Sequence, residues 1–558
     1  MNNKKNKIIL GVFNGIDSGA TLSINETILG SIQEERLTRI KQDKRYPSLS
    51  INHLLQVNKI NNEDINEVTI GAWGTPNKDV IIDYFEAYKR NGFSTKTISD
   101  RLHDSLNQDQ INREEIYLNC LQQFPKAKIV FQDHHYSHAC SAFYSSPFIS
   151  SFVITSDGKG DLQSTVIWEA SRSNGLKRIK TFSELLSIGL FYSQITRYLG
   201  FTPHKHEGKI TGLAAYGDKT ALTEELGKMF AMENGVFSEK VDHSYKPYLR
   251  TDFAWIDSIC NSYTREDIAY AAQYILEKVI LRLVNYFIPE GSNIALSGGI
   301  FANVKLNQKI KEHTKINDIF IFPAMGDGGI SHGSCIASMV ESGYQPAYPL
   351  KNVFLGNLQL TNDKIDDNIF TQEFHSHAEL VNITVDHLVD GKIIGLINEE
   401  MEYGPRALGN RSIISIATDS ETNKTLNARL NRTEFMPFAP VTLMDEAKYM
   451  YKDWSNDINT NFMTICYDVT DKMKEISPAC VHIDGTARPQ IISEENSSQL
   501  YIDILKKYFS VTGIPNLINT SFNNHEEPIV GDITDALSSL QKNNVDYVVT
   551  TDSIISNA

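Results

Sequence analysis

A strand–turn–strand unit that occurs twice is the feature that most constrains the fold of this chain. The apolar run Ile8–Phe13 is followed by a turn of small residues and a second strand-like run at 21–24. A comparable unit spans residues 151–168, with the turn DGKGD at its centre. Short apolar runs bounded by turn residues are typical of buried β-strands. The repetition therefore predicts a duplicated α/β core of the nucleotide-binding kind.

The DGKGD turn contains residue types that suit a bound phosphate group. Gly158 and Gly160 allow backbone N–H groups to approach a phosphate closely, and Asp157 or Asp161 could hold a metal or a water beside it. Asp-Gly is also the commonest hairpin turn, so an ordinary turn remains an open alternative for this stretch.

Two further segments of the first half combine glycines with polar residues. SGGIFAN follows a predicted strand, and its Gly298 and Gly299 leave room for a flat ligand such as adenosine, with Asn303 on the helix after them. EGKITGLAAYG surrounds Glu207 and Lys209 with small residues, so Lys209 could face a nucleotide or an acyl donor. Charges flanked by glycines also occur in plain surface turns, and periodicity does not choose between these readings.

Three histidines lie within five residues at 134–138. The preceding Lys128–Phe131 reads as a strand, and the next residues lack Gly and Pro, which predicts a helix beginning near His134. His134 and His138 would then project from one helix face, close enough to share an ion, while His135 points elsewhere. A helix start whose histidines bind nothing is the alternative.

Asp327 stands at another predicted strand end, in the turn PAMGDGG. Ligands in open α/β sheets gather at the carboxyl ends of strands, so loops distant in sequence can meet there. Asp327 could therefore complete a metal site with His134 and His138. The alternative is a turn aspartate that caps the next helix.

The composition changes near residues 343–349, whose prolines suit a linker, and a second domain is predicted from about residue 355. Its segment GPRALGNRS carries Arg406 and Arg411, and Arg488 follows in HIDGTARPQ. Arginine forks suit phosphate and carboxylate oxygens. Several arginines in low-charge loops of an acidic protein indicate an internal anion site, although each one alone could be an ordinary ion pair.

Charge and cysteine usage exclude several classes. The formal net charge of -15, without a basic stripe, argues against binding a nucleic-acid polymer. The six cysteines form no CxxC pair, which fits a reducing cytosol. No apolar run approaches the length of a membrane span or a signal peptide, so a soluble cytoplasmic protein is expected. A homodimer remains open.

Taken together, the motifs resemble those of the O-carbamoyltransferase family of the nodulation and antibiotic-tailoring type, over nearly the whole chain. The resembling segments, in order, are DHHYSHACSAFYSSPF, DGKGD, EGKITGLAAYG, LSGGIFAN, PAMGDGG, YGPRALGNRSI, HIDGTARPQ and INTSFN. The resemblance implies a duplicated actin/sugar-kinase-like domain at 1–345, similar to the threonylcarbamoyl-transfer subunit. It implies a second α/β domain at 355–558, similar to its carbamoyl-adenylate-forming partner.

The same resemblance implies an activity and its cofactors. ATP, with Mg(II), and carbamoyl phosphate would form carbamoyl adenylate in the second domain. The first domain would then transfer the carbamoyl group to a hydroxyl of a small molecule, such as a sugar, a natural product or a nucleoside. His134, His138 and Asp327 would hold Fe(II), although this set also accepts other divalent transition metals.

The candidate site residues fall into four groups. The residues expected to bind the nucleotide in the first domain are Asp157, Gly158, Gly160, Asp161, Gly212, Gly298, Gly299 and Asn303. Those expected to bind carbamoyl phosphate and ATP in the second domain are Arg406, Asn410, Arg411, Ser412, Arg432, His482, Thr486, Arg488, Asn519, Ser521 and Asn523. The acceptor is expected beside the metal, at Asn14, Asp17, Arg36 and Arg39. The sequence does not identify the general base, for which the candidates are His135, Glu207 and Lys209.

This sequence departs from the family pattern at two positions. Ile16 stands where members often have a histidine before the Asp-Ser of the first turn, which bears on the acceptor site. Met436 replaces an arginine before Pro-Phe-Ala-Pro, which bears on one contact to the anion. Neither change removes the predicted metal set or the GPRALGNRS segment.

Three other functions compete with carbamoyl transfer. A small-molecule kinase of the actin/sugar-kinase class would use the DGKGD and SGGIFAN loops but not the arginines of the second domain. Threonylcarbamoyl transfer to tRNA is disfavoured by the acidic charge. A nucleotide-binding interaction protein without turnover is the third alternative. A hydrogenase-maturation carbamoyltransferase is disfavoured because those proteins carry CxxC pairs.

Overall fold

The computed structural model describes residues 6–76, 78–230, 232–233, 236–237, 254–356, 369–431 and 436–558. The strands of the first half are β1 Ile8–Phe13, β2 Gly19–Ile24, β3 Thr27–Gln33, β4 Glu67–Ile70, β5 Lys128–Phe131, β6 Ser150–Gly160, β7 Gln163–Ser171, β8 Gly175–Ser183, β9 Met232–Glu233, β10 Val236–Phe237, β11 Asn293–Ser297 and β12 Asp318–Ile321. The α-helices of the first half are α1 Glu35–Thr38, α2 Ser48–Val57, α3 Lys78–Arg90, α4 Thr95–Gln123, α5 His134–Ser145, α6 Ile188–Tyr198, α7 Glu207–Leu213, α8 Ala221–Gly227, α9 Ala254–Cys260, α10 Arg265–Phe287, α11 Val304–His313 and α12 Ile330–Glu341.

Two five-stranded sheets with the same topology form the first half. Their orders are β3-β2-β1-β4-β5 and β8-β7-β6-β11-β12. In each sheet the first three strands pair antiparallel and the last two join parallel to the first. The predicted α/β class with a duplicated first half is confirmed by this repetition.

Helices α5 and α12 lie between the two sheets and hold them together. Helix α12 packs on β1 and on α5, and α5 packs on β6 and β11. The approach is close because glycine occupies both contacts: a Cβ on Gly11 would lie 2.1 Å from the Ser331 carbonyl oxygen, and one on Gly333 would lie 2.0 Å from that of Ser137. This central layer brings the start of α5 to the carboxyl ends of β6 and β11.

The second half is built on one mixed sheet. Its strands are β13 Ile369–Glu373, β14 Ile394–Ile397, β15 Arg411–Ile416, β16 Ala439–Leu443, β17 Tyr467–Asp468, β18 Thr486–Ala487, β19 Gln490–Ile492, β20 Asn516–Ser521, β21 Tyr547–Val549 and β22 Ser553–Asn557. Its α-helices are α13 His377–Val389, α14 Glu421–Arg429, α15 Met444–Met450, α16 Asp471–Ile476, α17 Gln499–Thr512 and α18 Ile533–Gln541.

Eight of these strands pair in the order β13-β22-β21-β14-β15-β20-β16-β19, while β17 and β18 form a separate pair. Helices α13 and α17 cover one face with an apolar core, and α14, α15, α16 and α18 share the other core. Both faces are thus buried, as in other α/β sheets. Within the part of the chain described, no helix is both long and apolar enough to cross a membrane.

Candidate functional site

Four side chains meet at the carboxyl edge of the second sheet. His134 and His138 lie on the first turns of α5, Asp157 lies in the long strand β6, and Asp327 follows β12. Their ligand atoms all lie within 4.8 Å of one another. Nε2 of His138 is 3.2 Å from Asp157 Oδ2 and 3.7 Å from Asp327 Oδ1, and Nε2 of His134 is 3.7 Å from the same Asp327 oxygen. The structure brings the three predicted residues together and adds Asp157.

The local sequence fixes where α5 begins. Asp133 caps the helix by accepting the Tyr136 N–H at 2.8 Å, and its other oxygen accepts Nη2 of Arg178 at 3.1 Å. The His134 N–H is bonded by Asp161 Oδ2 at 2.8 Å. Gly160 lies against the imidazole, where a Cβ would fall 2.1 Å from Cδ2 of His134. Gly160 and Asp161, at the end of the DGKGD segment, therefore position His134.

The atoms that face each other at this edge lack hydrogen-bond partners in the described part of the chain. They are Nε2 of His134, Nε2 of His138 and Oδ1 of Asp327, all buried. Ser297 Oγ donates to the Met325 carbonyl at 3.1 Å, so in its 3.1 Å contact with that Oγ, His138 Nδ1 is the donor. A neutral His138 then keeps a lone pair on Nε2, as a metal ligand requires.

The electrostatics of the four residues also suit a cation. Burial and the neighbouring Asp157 raise the pKa of Asp327. Burial alone would favour neutral His134, but Asp157 and Asp327 outweigh it and raise the pKa of His134 to about 9. Two imidazoles and two carboxylates with buried, unpartnered atoms fit a divalent transition metal, and His134, His138, Asp157 and Asp327 could hold it.

The predicted nucleotide glycines surround Asp157. Gly299 donates its N–H to Asp157 Oδ2 at 3.2 Å, and Gly158 donates to Oδ1 at 2.7 Å. Gly298 has φ of +107°, and a Cβ there would lie 2.1 Å from the Ser156 carbonyl oxygen, so only glycine fits. The glycines thus allow close contact between strand ends and orient Asp157, and their role toward a nucleotide stays a prediction.

The other two predicted nucleotide contacts lie among helices. Asn303 caps α11 by accepting the Leu306 N–H at 3.0 Å, and its Nδ2 donates to Thr211 and Gln273 at 3.1 and 2.7 Å. Gly212 lies buried in α7. The side chain of Asn303 is therefore engaged within the protein, because it links α7, α10 and α11.

The three candidates for the general base differ in their surroundings. His135 is fully buried, with Nδ1 3.0 Å from Thr155 Oγ1, and burial lowers its pKa to about 3. Lys209 is buried with its Nζ 5.8 Å from the Phe201 ring centre. Glu207 is partly exposed, and its Oε1 accepts from Ser193 at 2.8 Å and from the His204 N–H at 2.7 Å.

Two of the predicted acceptor residues lie at the turn after β1. Asn14 Oδ1 accepts from Trp73 Nε1 at 2.8 Å. Asp17 has φ of +63°, and a Cβ on Gly328, the residue after Asp327, would lie 3.4 Å from the Asp17 Cβ. The first turn therefore lies next to the turn that carries Asp327, although the two belong to different sheets.

The other two predicted acceptor residues contact the second half of the chain. Arg36 is 2% exposed, and its Nη2 donates to the Gly404 carbonyl at 2.7 Å. Arg39 donates to the carbonyls of Pro528 and Ile529 at 2.9 and 2.6 Å and pairs with Asp535 at 3.2 Å. All three side-chain nitrogens of Arg39 are therefore engaged at the junction between the halves, and its contact with an acceptor stays a prediction.

Glu402 organises the GPRALGNRS loop. Its Oε1 accepts the N–H groups of Leu408, Asn410 and Arg411 at 2.7, 2.8 and 3.1 Å. Sequence reasoning did not single out Glu402, which lies two residues before the motif. Its position before a glycine-rich loop with many free N–H groups was the available signal.

Arg411 points into the protein from β15. It is fully buried, Nε donates to the Gly531 carbonyl at 3.0 Å, and Nη1 donates to those of Asn398, Glu399 and Asn410. Only Nη2 lacks a partner within the described residues. Arg411 therefore braces the loop, and Nη2 alone is left for a ligand.

Arg406 and Arg488 form the second cluster of interest. Burial and the neighbouring Arg488 lower the pKa of Arg406 far below its usual range, and burial lowers that of Arg488. Among the residues that the structure describes, neither guanidinium has a carboxylate within ion-pair distance, and Arg406 Nε has no partner. Both arginines are partly buried. Two adjacent, partly buried guanidinium groups without a counter-ion among the described residues suit a phosphate or carboxylate ligand.

The remaining predicted residues of the second half are engaged locally. Thr486 and His482 contact Asp484 Oδ1 at 2.6 and 3.2 Å. The other side-chain bonds link Asn410 to the Glu400 carbonyl, Ser412 to the Gly409 N–H, Asn519 to the Ala407 carbonyl, and Ser521 to Asn523. Arg432 lies outside the described residues.

The segments that carry the two clusters contact each other at the junction of the halves. Tyr403 donates its hydroxyl hydrogen to the Gly328 carbonyl, beside Asp327. A Cβ on Gly404, at φ of +113°, would lie 3.3 Å from the Ala324 Cβ. The loop that carries Arg406 therefore packs directly on the turn that carries Asp327.

A second group with metal-ligand atoms, His206, His525 and Glu526, also lies at this junction. The Thr202 N–H donates to His206 Nδ1 at 3.1 Å, so Nε2 of a neutral His206 carries the hydrogen and donates it to Glu526 at 2.7 Å. This group is explained as a hydrogen-bonded link between the halves.

Comparison with known proteins matches the two halves of the chain to two family models. Residues 8–336 match the family model described as Carbamoyltransferase N-terminus, and residues 385–557 match Carbamoyltransferase C-terminus. The chain belongs to the carbamoyltransferase family. It is a carbamoyltransferase enzyme in two parts, and the family resemblance read from the motifs is confirmed.

Individual relatives match large parts of the chain. The chain is 28% identical to nodulation protein NolNO of Sinorhizobium fredii, over 96% of this chain and 78% of the relative. It is 30% identical to nodulation protein NolO of Bradyrhizobium diazoefficiens, over 75% and 77%. Among solved structures, component A of (R)-2-hydroxyglutaryl-CoA dehydratase from Acidaminococcus fermentans aligns with a TM-score of 0.35 at 13% identity, covering 60% of this chain and 99% of that one.

Proposed function

We propose that this carbamoyltransferase is ATP-dependent and acts in two steps. In residues 355–558, water would release inorganic phosphate from carbamoyl phosphate, and the carbamate oxygen would then attack the α-phosphorus of ATP to give carbamoyl adenylate and pyrophosphate. Residues 1–345 then transfer the carbamoyl group to a hydroxyl of a small molecule. The observation that carries the proposal is the pairing of a cation-binding cluster at His134 and Asp327 with an anion-binding pair at Arg406 and Arg488, joined at Gly404.

The chemical reason for two sites is the weakness of carbamate as an acyl donor. Its oxygen must become part of a good leaving group, which adenylation provides. Arg406 and Arg488 would hold the anionic substrates of that step, and the hydrogen bonds of Glu402 and Arg411 support the loop that carries Arg406. Preorganised donors of this kind stabilise phosphoryl and acyl transition states without rearranging.

The first half supports transfer through position and charge. A divalent metal held by the four-residue cluster would act as a Lewis acid toward the carbamoyl or phosphate oxygen. Asp17 and Ile16 lie on the turn beside that cluster, so an acceptor bound there would present its hydroxyl near the reacting carbon. Among the three candidate bases, Glu207 has the partly exposed carboxylate, and we propose it for the first test.

Product analysis tests the proposed function. The purified protein is incubated with ATP, Mg(II) and carbamoyl phosphate, after loading with Fe(II) under anaerobic conditions. We expect AMP and pyrophosphate that depend on carbamoyl phosphate. Formation of ADP instead would support a kinase, and nucleotide binding without turnover would support an interaction protein. Either result contradicts the proposal.

A further inference from the structure

Three charged side chains at the junction of the halves leave atoms without partners. Arg36, Glu402 and Arg411 are 2%, 1% and 0% exposed. Nε and Nη1 of Arg36, Oε2 of Glu402 and Nη2 of Arg411 are buried and have no hydrogen bond to any described residue. Buried polar groups are normally satisfied, so this concentration at one place requires an explanation.

The three groups act on one another without touching. Burial lowers the pKa of Arg36, while the carboxylates of Glu35 and Glu402 oppose that change. Burial also lowers the pKa of Arg411, to about 10, with Glu402 opposing and Arg36 reinforcing. Even so, in the part of the chain described, Glu402 comes within 4.0 Å ion-pair distance of neither guanidinium. Arg36 Nη1 instead lies 3.8 Å from Glu35 Oε1, so Glu402 and the two guanidinium groups influence one another without forming an ion pair.

Backbone groups hold each of the three side chains in place. Glu402 Oε1 accepts three backbone N–H groups, and Arg411 Nε and Nη1 donate to four backbone carbonyls. Arg36 Nη2 donates to the Gly404 carbonyl. These hydrogen bonds fix the orientation of the three side chains. Their unpartnered atoms are therefore in position before any ligand arrives.

Arg36 and residues 402–404 lie where the segments that carry the two clusters meet. The Arg36 contact is Gly404, two residues before Arg406, and Gly404 packs on the turn of Asp327. Tyr403, between Glu402 and Gly404, bonds the Gly328 carbonyl. A molecule moving from the arginine pair to the metal cluster would therefore pass residues 402–404 and Arg36.

We propose that Arg36, Glu402 and Arg411 bind the carbamoyl group of carbamoyl adenylate between its formation and its transfer. The carbamoyl carbonyl oxygen accepts from the free guanidinium nitrogens, and its NH2 donates to Glu402 Oε2, so one small group satisfies atoms of both charges. The inference rests on the proposed function and assigns Arg36 to retention of the intermediate.

Acceptor-free hydrolysis tests the inference. Carbamoyl adenylate that leaks into water is attacked at the carbamoyl carbon, which releases AMP and carbamate, and carbamate decomposes to ammonia and carbon dioxide. With ATP and carbamoyl phosphate alone, the native enzyme should release about one pyrophosphate per chain in a burst and then slow. Arg36→Gln should keep the burst and raise steady ammonia release at least about fivefold.

Two variants make the result specific. Arg36→Lys keeps the charge without the planar fork and should raise ammonia release in the same direction, by less. Arg45→Gln, on an exposed arginine that pairs with Asp43 at 2.5 Å, should behave like the native enzyme. If neither Arg36 variant folds, the Arg36 side chain is required for folding and the inference is wrong.

The outcomes separate this inference from the proposed function. Absence of any pyrophosphate burst in the native enzyme contradicts the proposed function, and the inference falls with it. A native burst together with unchanged ammonia release in Arg36→Gln contradicts only the inference. A native burst that Arg36→Gln abolishes would place Arg36 in adenylation and also overturn it.

Discussion

The metal cluster and the arginine pair both contain buried polar atoms without hydrogen-bond partners among the described residues, but the two clusters suit ligands of opposite charge. His134, His138 and Asp327 bring unpartnered ligand atoms close together beside the Asp157 carboxylate, an arrangement that suits a cation. Arg406 and Arg488 present donors without a carboxylate in reach among the described residues. Each cluster is costly without its ligand. The difference indicates that the two halves bind different parts of one reaction.

The two clusters also differ in how the chain supports them. The metal residues come from the ends of two strands and the start of one helix, whereas Arg406 belongs to one loop that Glu402 holds together. A single change should therefore affect them differently. Removing a metal residue deletes one ligand, while removing a brace of the loop alters the loop and the sheet behind it.

The largest effect is expected from His138→Ala. Loss of a buried imidazole ligand should empty the metal site and reduce carbamoyl transfer at least about 10³-fold, because the Lewis acid is worth several kcal/mol. Metal content and product formation measure it. His313→Ala, at an exposed histidine on α11, is the matched control. Unchanged metal stoichiometry in His138→Ala would refute this assignment of the cluster.

Arginine substitutions should separate brace from binding residue. Arg411→Met leaves four backbone carbonyls without their donor and should lower the free energy of unfolding by about 3 kcal/mol. Arg488→Met removes a partly buried charge that has no described counter-ion, so it should leave the free energy of unfolding equal or higher while stopping adenylation. Chemical denaturation measures both. Equal destabilisation would show that the two arginines serve the same purpose.

A smaller effect is expected from Asp157→Asn. If Asp157 is a ligand, the neutral amide should weaken metal affinity by about 10- to 100-fold. Asp161→Asn is the matched change, because an amide oxygen can still accept the His134 N–H. Metal titration of the two purified variants compares them. Equal metal affinities of the two variants would show that Asp157 is a turn residue and not a metal ligand.

The smallest effect concerns Ile16, on the turn beside Asp17. Ile16→His restores a polar ring common in the family and should change acceptor kcat/KM by about tenfold, or 1.4 kcal/mol in the transition state. Acceptor-free pyrophosphate release should stay unaltered, since the arginine pair is untouched. Steady-state kinetics with an acceptor identified by screening provide the readout. No change would remove this turn from the acceptor site.

Much of the first half follows from the sequence because its signals are local. The helix begins at His134 as the residue pattern predicts, and the four-residue spacing does place two imidazoles together. Asp327 joins them through the rule that strand ends of an α/β sheet share an edge. The rule applies equally to Asp157, but it needs the pairing of β6 with β11, which the sequence does not display.

The junction between the halves could not be predicted from local patterns. Arg36 and Arg39 occupy one charged segment, yet they contact different parts of the second half. Arg36 donates to the Gly404 carbonyl, and Arg39 donates to backbone carbonyls near residue 529. Asn303 looks like a ligand contact after two glycines, but it caps a helix. These outcomes depend on which surfaces pack together, and residue type alone does not encode that.

Pyrophosphate release in the absence of acceptor tests the central claim most directly. It is measured with ATP and carbamoyl phosphate for the native enzyme, His134→Ala and Arg406→Ala. Separate half-reactions predict that His134→Ala keeps the pyrophosphate burst and loses only transfer, whereas Arg406→Ala loses the burst. If His134→Ala loses the burst as completely as Arg406→Ala does, the assignment of the two steps to two sites is wrong.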